Sequence, residues 1–138
     1  MRAIIRVGMF VWLVTFWASG VSEAQQVTTK RQTLGAVTVD VTPIPPTGQG
    51  DPLKVKVVLD THSVALDGIK FEEAVALKAS DGTDIAPTGV EQASGSGHHR
   101  EAVVIFAAPT RAGALTVIVK NVGGVAERSF TWELPAGR

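Results

Sequence analysis

The chain has 138 residues, no cysteine, and 13 basic side chains against 13 acidic ones. Without cysteine there can be no disulfide and no lipid-modified N-terminal cysteine, so the fold must hold by core burial alone. Balanced charge without a Lys/Arg cluster lacks the electrostatic footprint that a phosphate backbone requires, and nucleic acid is excluded as an expected partner.

Residues 1–24 read as an export signal. Arg2 and Arg6 precede an almost unbroken apolar run from Val7 to Ala18, and Val21-Ser22-Glu23-Ala24 places small residues where a signal peptidase reads them. Cleavage before Gln25 is expected. The apolar run is about a dozen residues, short of the roughly 20 that a spanning helix needs, so the mature domain is not expected to span a membrane. The signal takes two of the 13 basic residues, one of the 13 acidic residues and both methionines, leaving 114 residues with a net charge of −1. That length fits one domain, and the address is periplasmic or secreted.

The polar stretch 25–33 reads as a loose leader, and the domain as 34–135. Val37, Val39 and Val41 alternate with Thr38, Asp40 and Thr42, the period of a half-buried strand. Pro43 to Pro52 is a connector, because its prolines cannot donate ladder bonds. The second strand is Leu53 to Leu59, with lysines at 54 and 56 on its polar face. Asp67 is placed to cap a short helical turn over 67–73, with Leu66 and Phe71 packing across the end of the fold.

Val75 to Ala79 is the third strand, followed by an Asp81-Gly82 turn. Asp84 to Val90 reads as a weak edge strand interrupted by Pro87, and Ala93 to Gly97 as flexible. The continuous apolar run Ala102 to Ala107 implies burial on both faces or a central place in its sheet. Leu115 to Lys120 and Ser129 to Leu134 complete the set, with Asn121 to Gly124 as the loop between them. About seven strands with regular turn signals predict an all-β, antiparallel sandwich of immunoglobulin or fibronectin type.

If successive strands run between two poles, the loops carrying His62, His98-His99 and Asn121 to Gly124 share one pole. Neutral imidazole suits zinc and copper, carboxylates can complete the shell, and no soft sulfur remains after cleavage. The candidate ligands are His62, His98, His99, Asp60 and Glu101, for Cu(II) or Zn(II), with Arg100 as an orienting partner. Adjacent residues of a strand point to opposite faces, so His98 and His99 can both meet His62 only if that stretch is looped. Against the metal stands a structural reading: Thr61-His62-Ser63 as a turn whose side chains bond nearby backbone, and Arg100 paired to Asp60 or Glu101. His62 and Ser63 are sequence neighbours, poor geometry for a base and its nucleophile, and no catalytic role is expected.

The segments Leu59-Asp60-Thr61-His62-Ser63-Val64-Ala65-Leu66-Asp67, Ala86-Pro87-Thr88-Gly89, Gly97-His98-His99-Arg100 and Phe130-Thr131-Trp132-Glu133-Leu134 carry a resemblance. Over Leu53 to Leu134 the chain resembles a group of small, exported, mostly uncharacterised bacterial immunoglobulin-like domains that share a D-T-H-S-V-x-L segment and a G-H-H-R segment. The resemblance implies an extracytoplasmic sandwich whose histidine loops form a recurring unit, and it implies no activity. Val90 stands where an aromatic residue is expected after the glycine, which removes an aromatic wall beside the site. The functional expectation is a non-catalytic binding module with a histidine-lined metal site. The alternative is a structural or adhesive domain contacting an envelope protein through Pro43 to Pro52 and Asp84 to Val90.

Overall fold

The computed structural model describes residues 27–108 and 113–134, the Leu134 side chain excepted; the expected export signal lies outside the described residues. Val37, Val39, Val41 and Pro43 of Val37–Ile44, and Leu53, Val55, Val57 and Leu59 of Leu53–Thr61, bury one face and turn the other outward, and these become β2 and β3, so that β2 runs on into the first two residues of the expected connector. They are preceded by β1 (Lys30–Leu34) and followed by a single helical turn α1 (Phe71–Ala74), β4 (Val75–Lys78), β5 (Asp84–Ile85), β6 (Gly89–Ser96), β7 (His99–Phe106), β8 (Gly113–Val122) and β9 (Val125–Leu134). The strands form two antiparallel sheets, ordered β1-β2-β3-β7-β6 and β5-β4-β8-β9. One core joins their inner faces, built from the valines of β2 and β3, Val104 and Phe106 of β7, Val117 and Val119 of β8, and Phe130 and Trp132 of β9. Each such valine contributes about 1.5–3 kcal/mol by leaving water, which is how a chain without disulfides stays folded. Among the described residues no helix is long and apolar enough to cross a membrane.

Several expectations are corrected. The stretch read as a loose leader already contains β1, which pairs with β2 from Lys30↔Val41 to Leu34↔Val37. Lys30 and Gln32 also reach across to the other sheet, donating to the carbonyls of Thr131 and Ser129 on β9. The single edge strand expected over 84–90 is two strands, β5 and the start of β6, with Pro87 at the crossing between sheets. Ala93–Ser96, read as flexible, is the second half of β6, set off by a bulge after Glu91 where Gln92 adopts φ +53°. Asp67 caps nothing: α1 begins four residues later, and Lys70 at its start makes no capping bond. Leu66 and Phe71 are buried as expected. So is the apolar run of β7, an interior strand whose outward-facing Val103 is only 6 % exposed.

The end of the fold where β3 finishes is closed by an unusual group. Arg128 points inward from β9 and is 1 % exposed, with no carboxylate paired to it among the described residues. Its guanidinium donates to the carbonyls of Val122 (2.8 Å), Leu34 (2.7 Å) and Val37 (3.4 Å), while its Nε has no partner among the described residues. Desolvation lowers its pKa, yet a guanidinium stays protonated in proteins. The β8–β9 turn fits against this group: Gly123 and Gly124 both have positive φ, as a two-residue turn of the primed kind requires. A Cβ at Gly123 would stand 2.5 Å from Cγ2 of Val37. Arg128→Ala leaves buried carbonyls without donors, and at about 1–3 kcal/mol for each unsatisfied group urea denaturation should register a loss of about 3 kcal/mol or more. Arg128→Lys, which lacks the planar fork, should recover little of it.

On the outer side of the four-stranded sheet Asp84 accepts from Lys78 (2.7 Å) and Lys120 (3.0 Å). The bond from Lys78, and then that from Lys120, holds the Asp84 carboxyl below its usual range, and the Lys78 ammonium is raised chiefly by the same bond. A depressed carboxyl stabilises the fold above its unfolded pKa, about 3.9, and the contribution is lost as pH falls through the folded value. NMR titration should therefore place the Asp84 midpoint below about 3.9, and Lys78→Met should move it upward.

Candidate functional site

The alternation that buries Leu59 turns Asp60 outward at the end of β3, and β7 pairs alongside with Asp60↔His99 and Leu59↔Arg100. Asp60 and His99 are therefore cross-strand neighbours on the open face of the five-stranded sheet. His99 Nδ1 lies 2.5 Å from Asp60 Oδ1, with the two side chains 53 % and 49 % exposed. A carboxylate against Nδ1 calls for the tautomer that carries its proton there, which leaves the Nε2 lone pair free. This is the arrangement by which a carboxylate orients a metal-binding imidazole.

The backbones of the three histidine and glycine loops do meet at one pole. The Thr61 N–H donates to the His98 carbonyl (3.0 Å), the Thr61 hydroxyl to the Ala36 carbonyl (2.6 Å), and the Gly123 turn abuts Gly35 beside it. The side chains do not follow. His62 and His98 are exposed, and neither belongs to a cluster: among the described residues no group of three His, Cys, Asp or Glu side chains could hold an ion. Glu101 shares the face of His99 one row further along, where it pairs with Lys56 at 3.3 Å. Of the five candidate ligands, one chain brings only Asp60 and His99 together.

The remaining conspicuous residues hold backbone. Arg100, expected beside Asp60 or Glu101, instead turns inward and donates from one nitrogen to the carbonyls of Leu66 (3.0 Å), Asp67 (3.1 Å) and Ile69 (3.3 Å), with its guanidinium 5.3 Å from the Phe71 ring centre. Asp67 accepts from the Gly97 N–H at 2.9 Å, and the Leu66 N–H donates to the Gly97 carbonyl at 2.8 Å. The Ser63 N–H meets the Thr61 hydroxyl at 3.3 Å, the local turn that Thr-His-Ser suggests. Gly95 is required by contact: with φ +84°, any Cβ there would stand 2.2 Å from the His99 carbonyl oxygen. Loop 62–70 and the β6–β7 hairpin are thus one bonded unit that presents His99.

Spacing alone could not assign these roles. Parity does carry one signal, since Asp60 and His99 fall on outward positions of neighbouring strands once β3 and β7 are paired. A shallow depression of about 190 Å³ beside the pole is lined by Gly68, Ile69, Lys70, Glu73, Lys120 and Asn121. Both of its lysines are already paired, to Glu73 and Asp84. Comparison with family models, with curated proteins and with solved structures gives no match.

Arg100→Gln removes the charge that gathers three carbonyls. Hydrogen exchange should accelerate at Leu66 and Ile69, whose amides bond within this loop unit, with a stability loss of about 1.5–3 kcal/mol, typical for bonds to a charged group. Unchanged protection at both amides would refute the bonded unit.

Proposed function

We propose that this chain is an exported, non-catalytic binding module of immunoglobulin-like type, with Asp60 and His99 as the centre of a zinc or copper site. Strand order supports the fold type: without the short β1 and β5, one sheet runs β2-β3-β7-β6 and the other β4-β8-β9, the ABED and CFG order of immunoglobulin constant domains. The observation that carries the functional reading is the Asp60–His99 pair on an open sheet face. It offers an oriented imidazole to something that arrives from outside, and no enclosed cavity or activated nucleophile is needed for that role. His62 and His98 flank the pair through the backbone of the hairpin and serve as outer contacts.

A second reading has its own observation. The row Ile44, Lys54, Ile105, Gly89 crosses the five-stranded sheet at the pole opposite the histidines, so the connector 45–52 and the crossing at Pro87 lie at the same end. Ile44 and Ile85 are exposed there. Contact with an envelope protein at that end would need no metal.

Isothermal calorimetry with Zn(II) and Cu(II) separates the two. Wild type should bind, His99→Ala should abolish uptake, and Asp60→Asn should weaken it by about 10–100-fold, the usual cost of losing the group that orients a ligand. His62→Ala should retain most of the affinity. An absence of binding heat with either metal would remove the first reading.

A further inference from the structure

The Asp60–His99 pair leaves a coordination shell unfilled. His99 meets Asp60 through Nδ1 at 2.5 Å, and the two nitrogens of an imidazole ring point away from each other. An ion on Nε2 therefore lies across the ring from Asp60, whose carboxylate orients the ligand without being one. In their row across the sheet, Asp60 and His99 are flanked by Thr38 on β2 and Ser96 on β6, and hydroxyls are not among the usual zinc or copper ligands. The acids of the next row are engaged: Asp40 accepts from Nε and Nη2 of Arg31 at 2.6 Å each, and Glu101 pairs with Lys56 at 3.3 Å. Among the described residues no third His, Cys, Asp or Glu joins the pair. One chain thus supplies one ligand, where zinc takes four and copper(II) fills a square plane.

The missing ligands have to come with the ion. Both side chains are about half exposed, on an open sheet face with room for a chelate around the metal. Charge then selects among chelates. Asp40 and Glu101 are offset by Arg31 and Lys56, whereas Asp60 has no Lys or Arg paired to it among the described residues. A neutral imidazole leaves that negative charge to the incoming complex, so a cationic chelate is favoured over a neutral one by the modest attraction that exposed charges feel in water.

We infer that the ligand of this site is a small metal chelate: Cu(II) or Zn(II) already held by about three nitrogen or oxygen donors, as a short peptide can hold it, with net positive charge, to which His99 Nε2 adds the last ligand. The inference rests on the metal-binding reading and names what the metal arrives in.

Three copper complexes test it. Cu(II)–diethylenetriamine, a dication, and Cu(II)–iminodiacetate, which is neutral, both occupy three positions of the copper plane and leave one for an imidazole, whereas Cu(II)–EDTA leaves none. Each is titrated beside bare Cu(II) into the protein as the cell processes it, with calorimetry and NMR of the histidine rings as readouts. The His99 ring should broaden before those of His62 and His98 with the first two chelates, and not with the third. His99→Ala should remove the strongest site. With one imidazole as the whole contribution of the chain, bare Cu(II) and Cu(II)–diethylenetriamine should bind within about tenfold of each other, one decade in Kd. Relative to free imidazole, the dication should gain about fivefold over the neutral chelate at low salt, and Asp60→Asn or added salt should cancel the gain. Equal gains for the two chelates overturn the charge selection. The inference is overturned if chelated copper binds about 100-fold or more weakly than the bare ion, or if diethylenetriamine strips copper from the protein instead of joining it there. Either result, with bare Cu(II) still bound at His99, leaves the metal-binding reading standing. A His99 ring unaffected by bare ion and chelates alike overturns both.

Discussion

A buried guanidinium holds this fold closed at one end. Arg128 lies in the apolar interior with carbonyl oxygens as its only acceptors among the described residues, and the penalty for removing a cation from water is offset only when those acceptors converge on it. They come from the end of β1, the start of β2 and the end of β8, on both sheets. The stabilisation is therefore conditional on the whole arrangement: a chain with the sheets slipped or β1 detached would bury the same charge with fewer acceptors. An apolar side chain could fill the space but would not distinguish the correct closure from a near miss. Nε has no partner among the described residues, a residual cost that the other bonds carry.

The same device recurs beside it. Arg100 draws three carbonyls of loop 62–70 together as Arg128 does for the pole, and Phe71 covers it from below. The two segments with the densest polar sequence, around His62 and around His98, are joined through Asp67, Gly97, Thr61 and Arg100. Most of their polar residues serve the backbone. What they leave over is a fixed hairpin and a fixed strand end, from which Asp60 and His99 project on adjacent strands. Their 2.5 Å contact is a product of that rigidity, since neither side chain is held by burial.

Much of the architecture was legible because period-two alternation is a strong signal where one face is buried. Val37 to Val41, Leu53 to Leu59 and Leu115 to Val119 announce their strands and inner faces, and the unbroken run in β7 announces an interior strand. β1 was missed because it contributes almost nothing apolar: its residues act by backbone pairing with β2 and by side chains that reach β9. The second half of β6 was missed because Ala-Ser-Gly-Ser looks like a linker, whereas its small residues pass close to the His99 carbonyl. Parity placed the histidine loops at one pole but could not orient side chains at strand ends, where Arg100 turns inward and His98 sits at the tip of a turn. Nor does spacing distinguish an acid that binds an ion from one, like Asp67, that accepts a backbone N–H.

The location of the remaining pair limits what it can do. A sheet face fixes the direction of a side chain well, because each residue's neighbours are set by register, but it excludes no water and supplies few ligands from one row. An exposed imidazole oriented by one carboxylate binds an ion weakly unless something else closes over it. On the same surface the pairs Lys54–Glu91 and Lys56–Glu101 flank Val103, which is nearly as buried as the core. Ion pairs between exposed groups contribute little to stability, so what these contribute within the chain is the apolar stems of long side chains laid over the sheet.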